Sequence, residues 1–201
     1  MNILQRLNHE MADVVDGVHQ ALVQIHNGQR GIGAGTIWHE QGLILTNAHV
    51  VEGRGRSSHL SVTLFDGREF EARIIETDPS HDIAALMISA DNLPTIEPGD
   101  SRGLHAGDWV FAVGHPWGII NAVTSGVVIG LHPPPELQLH NEDWIAVDLH
   151  MRPGFSGGPL VDRNGRLVGI NTMITGPNVG YAIPVHLVKK FLKENIGSAV
   201  A

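Results

Sequence analysis

The sequence contains no cysteine, which excludes disulfides, a cysteine nucleophile and a thiolate metal site. Charged residues are also scarce, at 17% of the 201 residues, and acidic residues outnumber basic ones to give a formal net charge of −8. No dense cluster of lysine and arginine offsets that charge. Broad electrostatic attraction to nucleic acid or to an anionic membrane is therefore not expected.

Long apolar runs are missing as well. No segment approaches the roughly 18 consecutive apolar residues that cross a bilayer, so no membrane span is predicted. The N-terminus lacks the basic start, apolar run and small-residue cleavage site of a secretory signal. If the chain is full length, these features predict a cytoplasmic protein, whereas an excised domain would leave the periplasm or another compartment open.

Glycine and histidine are plentiful instead. The 24 glycines and a hydrophobic fraction of 42% are typical of a compact, turn-rich β protein. The 13 histidines lack the i, i+4 spacing of a helical zinc site, and we interpret them as scattered surface and turn residues. No metal site and no cofactor are predicted.

Helical spacing of apolar residues occurs at the two ends of the chain. Residues 3–22 predict an amphipathic helix at least in part, although residues 21–25 could equally begin the first strand. This helix is interpreted as packing on its own domain, with an oligomer contact as the alternative. Residues 184–197 predict a second helix that stops at Gly197.

Short extended segments separated by turns fill the chain between the helices, which is typical of a β-sandwich or β-barrel. The predicted strands are residues 33–38, 42–46, 62–65, 69–76, 83–89, 109–114, 122–131, 144–149 and 167–172. Turns are predicted at Asp66-Gly67 and at residues 163–166. A connection rich in proline and glycine at residues 91–107 separates two β units, and three consecutive prolines predict a loop over residues 132–140.

Three polar segments carry the candidate chemistry. Ser156 lies among three glycines in GFSGGPL, where backbone N–H groups can converge, although a glycine-rich turn with an incidental serine has the same pattern. His49, in TNAHVV, follows the apolar run at residues 43–45 and is either a buried core histidine or a general base. Asp82 precedes an apolar strand in HDIAAL, where it is either a turn residue or the partner that orients His49.

Taken together, the segments place His49, Asp82 and Ser156 in that order, 33 and 74 residues apart. This is the chain order of chymotrypsin-type proteases. The segments TNAHVV, HDIAAL and GFSGGPL resemble the active-site segments of the HtrA (Deg) branch of trypsin-like serine proteases. Further likenesses run in order over residues 30–192: GAGT, DGR, DS, GHPWG, TSG, GINT and GYAIP.

The resemblance implies an all-β fold of two six-stranded barrels in a single protease domain. An N-terminal helical segment would cover residues 1–24, the first barrel residues 25–107, and the second barrel with the C-terminal helix residues 108–201. It implies a serine endopeptidase that cleaves unfolded or extended polypeptides through the triad His49, Asp82 and Ser156, and a role in protein quality control. A homotrimer is also implied, although the family's N-terminal aromatic residues are absent here.

The resemblance assigns further residues to the site. The N–H groups of Gly154 and Ser156 would form the oxyanion hole, and Thr172, Met173 and Ile174 would pair with an extended substrate by β-strand addition. His150, Met151, Ile174 and Gly180 would lie near the first specificity pocket.

Two features depart from the family pattern. Phe155 occupies a position where the family usually has Asn and pancreatic-type relatives have Asp, and it favours an alternative function: a protease-fold binding or chaperone module with little or no turnover. Many family members carry a PDZ domain after the protease domain, whereas the sequence stops at Ala201, soon after the final predicted helix.

Overall fold

The computed structural model describes residues 2–28, 32–52, 59–134, 144–175 and 178–197. Within these residues, twelve strands form two closed antiparallel barrels of six strands each, with a helix at either end of the chain. The predicted fold class is confirmed. Among the described residues, no helix has the length and apolar character needed to cross a bilayer.

The first barrel comprises β1 to β6, which close in the order β1-β2-β3-β6-β5-β4. Their bounds are β1 Leu22–His26, β2 Ile32–His39, β3 Leu43–Thr46, β4 Ser61–Thr63, β5 Glu69–Asp78 and β6 Ile83–Ile88. The predicted turn at Asp66-Gly67 joins β4 to β5, and the Gly67 N–H donates to the Leu64 carbonyl at 3.0 Å. A short helix that the sequence did not predict, α2, spans Ala48–Val51 directly after β3.

The second barrel repeats this design with β7 to β12, closed in the order β10-β11-β12-β9-β8-β7. Their bounds are β7 Trp109–Gly114, β8 Ala122–His132, β9 Trp144–Asp148, β10 Pro159–Asp162, β11 Leu167–Thr175 and β12 Val179–Pro184. The pattern did not predict β10, which begins at a proline in the serine segment, or β12. His132 ends β8 rather than opening the predicted loop, whose residues 135–140 lie outside the described residues.

The N-terminal helix α1 spans Ile3–His19, and the chain then enters β1, so the helix ends earlier than residue 22. A capping box starts it: the Gln5 N–H donates to the Asn2 side chain, and the Asn2 N–H donates to the Gln5 side chain, both at 2.9 Å. Val18 is buried in the main core, whereas Ile3 and Leu4 are exposed. The C-terminal half of α1 thus packs on its own chain.

The connection between the barrels docks along the second barrel. The Gly99 N–H donates to the Leu167 carbonyl and the Leu167 N–H donates to the Glu97 carbonyl, both at 2.8 Å. The chain ends in α3, Val185–Asn195, which buries Val188, Phe191 and Leu192. A buried cluster with residues of both barrels joins them, and the polar segments predicted from the sequence meet where the barrels adjoin.

Candidate active site

Asp82 and His49 meet at the edge of the first barrel. The ring Nδ1 of His49 lies 2.8 Å from Asp82 Oδ2 and 3.0 Å from Oδ1, and the His49 backbone N–H donates to Oδ1 at 3.0 Å. Because a carboxylate only accepts hydrogen bonds, Nδ1 carries the ring proton and Nε2 is left as the basic nitrogen. This arrangement fixes both the orientation and the tautomer of the imidazole.

The turn before Asp82 explains its position. Asp78, the last residue of β5, accepts hydrogen bonds from the Ser80 N–H at 3.0 Å and from the His81 ring at 2.5 Å. Burial would raise the pKa of the Asp78 carboxyl, but the hydrogen bonds from Ser80 and His81 outweigh it and lower that pKa. The chain then passes through a left-handed conformation at Asp82, with φ of +56°, and the Asn47 side chain donates to the Asp82 carbonyl at 3.0 Å.

Ser156 belongs to the second barrel, yet its main chain bonds to the first. The Ala34 N–H of β2 donates to the Ser156 carbonyl at 2.9 Å. The Ser156 hydroxyl donates to the Thr172 carbonyl at 3.0 Å, and the Thr172 hydroxyl in turn donates to Asp82 Oδ2. Within the described part of the chain, no hydrogen bond joins the Ser156 hydroxyl to the His49 ring. Catalytic hydrogen bonds are often formed only when substrate is bound.

The residues before Ser156 form a tight turn. The Phe155 N–H donates to the Arg152 carbonyl at 3.1 Å, and Gly154 has φ of +108°. With Pro153 second and glycine third, these are the features of a type II turn. A type II turn rotates its central peptide group, here the one that carries the Gly154 N–H, by about half a turn relative to type I.

The predicted substrate edge lies on β11. Thr172 is a bulge residue, since the pairing of β11 with β12 shifts between Asn171 and Met173. On the other side, the pairing of β11 with β10 reaches only to Ile170. Among the described residues, the backbone from Thr172 to Ile174 therefore has one edge that pairs with no strand, as the predicted strand addition requires. The Ile174 side chain is 43% exposed, and that of Met173 lies outside the described residues.

The residues assigned to the specificity pocket are brought together only in part. Met151 is buried, and its terminal methyl occupies the space where a side chain on Gly180 would begin. His150 is exposed. The wall between Met151 and Gly180 is thus apolar.

Comparisons with known proteins show the family of the chain. A family model described as the trypsin-like peptidase domain matches residues 33–170. The chain belongs to the trypsin-like peptidase family. Its relatives and a solved structure are of the HtrA type, as the resemblance in the sequence predicted.

Two curated relatives and one structure illustrate the likeness. A probable periplasmic serine endoprotease DegP-like of Halomonas elongata is 41% identical over 162 residues, which cover 78% of this chain and 33% of the relative. The mitochondrial serine protease HTRA2 of Drosophila willistoni is 38% identical over 200 residues, which cover 92% of this chain and 46% of the relative. The chain thus spans a third to a half of these relatives' lengths.

The solved structure is that of a Ser-to-Ala variant of the HtrA-type protease AlgW with a tripeptide. It matches with a TM-score of 0.84 and 32% identity, over 94% of this chain and 64% of that chain. This trypsin-like peptidase domain therefore shares its fold with relatives that are named as proteases.

Sequence reasoning missed three features of this trypsin-like site. The bond from Thr172 to Asp82 joins residues 90 positions apart, and no local pattern signals it. The pair Pro153-Gly154 is typical of a type II turn, but no turn of this type was predicted there. The third is His115, which is 2% exposed and whose backbone N–H donates to the Gly154 carbonyl at 2.9 Å.

The His115 ring is held uncharged. Its Nδ1 accepts the Asn121 N–H at 3.2 Å, which leaves Nε2 to carry the proton. Burial lowers the pKa of His115 to about 4; the Val23 carbonyl opposes this shift, and the nearby His19 and His26 add to it. Within the described residues, no group of three or more histidine, aspartate or glutamate side chains could hold a metal ion.

Proposed function

We propose that the chain is the protease domain of a serine endopeptidase that cleaves unfolded or extended polypeptides, as in protein quality control. One observation carries the proposal. The His49–Asp82 pair of the first barrel and the type II turn at Ser156 of the second adjoin the same unpaired strand edge at Thr172. In the proposed reaction these parts would act as base, nucleophile, anion-binding N–H groups and backbone docking edge.

In the proposed reaction, a substrate segment pairs with residues 172–174 and places its scissile carbonyl beside Ser156. Ser156 Oγ attacks the carbonyl carbon while His49 Nε2 takes the hydroxyl proton. The oxygen that becomes negative accepts hydrogen bonds from the Gly154 and Ser156 N–H groups. His49 then gives the proton to the leaving amine, and water hydrolyses the acyl ester by the same steps.

Asp82 keeps the imidazole in the tautomer that this reaction needs, and it stabilises the imidazolium form. The Thr172 hydroxyl holds Asp82 from the second barrel. No metal or cofactor takes part in the proposed reaction. The homotrimer stays a prediction. The cytoplasmic location stays one as well, since the relatives named above include a periplasmic and a mitochondrial protein.

The test is casein cleavage by Ser156→Ala. This variant should lose cleavage while its far-UV circular dichroism and melting temperature stay those of the parent, because only a hydroxyl has been removed. Ser125→Ala, which removes an exposed hydroxyl on β8, is the matched control and should cleave normally. Undiminished cleavage by Ser156→Ala would exclude the proposal.

A protease-fold binding module with little turnover is the second candidate. The observation that favours it is the Ser156 hydroxyl, which is bonded to the Thr172 carbonyl rather than to His49. A fluorophosphonate probe distinguishes the two candidates because it labels only an activated serine. Labelling of Ser156 supports the endopeptidase, whereas no labelling with or without a substrate peptide supports the binding module.

A further inference from the structure

The aromatic residue next to the nucleophile is buried in the second barrel. Phe155 is 4% exposed and belongs to the apolar cluster that includes Val110, Ala112 and Leu160. Gly114, at the end of β7, provides the room: a Cβ there would lie 2.7 Å from the Phe155 Cα and 3.0 Å from its ring Cδ1. The ring therefore occupies a close-fitting space in the barrel core.

The main chain of Phe155 is also held on both sides. Its N–H donates to the Arg152 carbonyl at 3.1 Å, and its carbonyl accepts the Gly158 N–H at 3.0 Å. Its Cα joins two peptide groups. The one before it closes the type II turn that orients the Gly154 N–H, and the one after it carries the Ser156 N–H.

The burial of the ring thus fixes the position of the Phe155 Cα. The orientations of the Gly154 and Ser156 N–H groups, the proposed anion-binding groups, both depend on that atom. A polar side chain at position 155 would need hydrogen-bond partners, and the surrounding cluster is apolar. Apolar packing therefore holds residue 155 in place, as hydrogen bonds would hold a polar residue.

We infer that Phe155 is a positioning residue, whose ring anchors the turn at residues 152–156 so that the Gly154 and Ser156 N–H groups face the reacting carbonyl. This inference rests on the proposed function. It also removes the conflict between Phe155 and an active enzyme, since the aromatic ring supports the turn from the core and stays out of the substrate's path.

The experiment compares Phe155→Ala and Phe155→Leu with Phe111→Ala. Phe111 is a matched control, because it is also 4% exposed and lies in the same barrel, on β7, away from the turn. Each variant is assayed well below its melting temperature, with kcat and KM expressed per serine that a fluorophosphonate labels at completion.

Removing one hydrogen-bond donor from an oxyanion hole costs about 100- to 1000-fold in kcat, and misalignment of both donors should cost part of that. Phe155→Ala is expected to lower kcat by roughly 10- to 100-fold with KM changed less than about threefold, because the lost interaction belongs to the transition state. Phe155→Leu, which keeps apolar volume, should retain kcat within about threefold. Phe111→Ala should lower the melting temperature and leave kcat per labelled serine unchanged.

Two results would overturn the inference: a folded Phe155→Ala with the kcat of the parent, or a Phe111→Ala with an equal loss of kcat. If Phe155→Ala does not fold, Phe155→Val, which also removes much of the apolar volume, replaces it, and kcat must still fall while the labelled fraction stays high. Failure of the proposed function looks different. In that case the unmutated protein itself is not labelled, and its casein cleavage equals that of Ser156→Ala.

Discussion

Thr172 makes hydrogen bonds to residues of both barrels at the candidate active site. Its hydroxyl donates to Asp82, its carbonyl accepts the Ser156 hydroxyl, and its place in a bulge leaves it beside the unpaired edge of β11. A substrate N–H that bonded to the Thr172 carbonyl would compete with Ser156 for it. One residue thus contacts Asp82 of the first barrel and Ser156 of the second, both members of the proposed triad, beside the proposed docking edge.

His115 is the second residue whose surroundings decide its chemistry. In the unfolded chain a histidine has a pKa of about 6.5, whereas burial lowers the pKa of His115 to about 4 in the fold. Below pH 6.5 the unfolded state therefore binds the proton first. The stability that the neutral ring contributes is complete above pH 6.5 and falls as the pH drops to 4, by up to about 1.4 kcal/mol per pH unit.

His115→Asn should weaken this pH dependence, because an amide can accept the Asn121 N–H without titrating. Between pH 7 and pH 4.5, the free energy of unfolding in urea is expected to fall by up to about 3 kcal/mol less in the variant than in the parent. His105→Asn is the control, since the His105 side chain is 85% exposed. Parallel pH profiles for the parent and His115→Asn would contradict the prediction.

At the scale of elements, the joint between the barrels depends on Gly157. It follows Ser156, the proposed nucleophile, with φ of +84°, and its carbonyl accepts the Thr36 hydroxyl at 3.3 Å. A Cβ on Gly157 would overlap the Ala34 carbonyl oxygen and the Thr46 hydroxyl, both in the first barrel. Only a glycine allows the segment after Ser156 to approach β2 and β3 this closely.

Gly157→Ala tests this joint against Gly67→Ala. Gly67 has nearly the same φ, +86°, but no atom lies within 4 Å of a Cβ placed there. Gly67→Ala should cost about 1–2 kcal/mol of unfolding free energy through backbone strain. Gly157→Ala should cost about 1–3 kcal/mol more, because it adds overlap in a packed interface. Urea unfolding measures both, and equal costs would show that the close approach is unimportant.

The whole molecule has a core that crosses from one barrel to the other. One buried cluster contains Val23 and Ile44 of the first barrel, Phe111 and Ile183 of the second, and several residues of α3. A backbone hydrogen bond from Ala34 to Ser156 joins the barrels at the site itself. Because this shared cluster contains most of the described buried apolar residues of the first barrel and many of those of the second, we expect the barrels to unfold together.

Two tryptophans can test this cooperativity. Trp38 reports on the first barrel and Trp144 on the second, and both are buried, whereas Trp109 and Trp117 are exposed. In variants that keep only Trp38 or only Trp144, with phenylalanine at the other positions, the urea midpoint from fluorescence should match that from far-UV circular dichroism. Separate midpoints for the two methods in either variant would show that the barrels unfold independently.

The sequence predicted most of the elements because their signals are local. Short extended segments between turns located β2, β3 and β5 to β9 to within a few residues, and Asp66-Gly67 located a hairpin turn. The sequence did not predict two elements that lie in the polar segments around His49 and Ser156. The segment after Ser156 becomes β10, and the segment around His49 becomes α2, neither of which has an apolar period of its own.

The sequence by itself determined the composition limits, the order His49, Asp82, Ser156 and the resemblance that led to the fold. Only the tertiary structure decided that Thr172 bonds to Asp82, that the Phe155 ring enters the barrel core and that the His115 ring stays neutral. The physical reason is that these three features depend on strand register and on burial between residues far apart in the chain. The spacing of side chains along one segment does not predict which distant residues will pack against that segment.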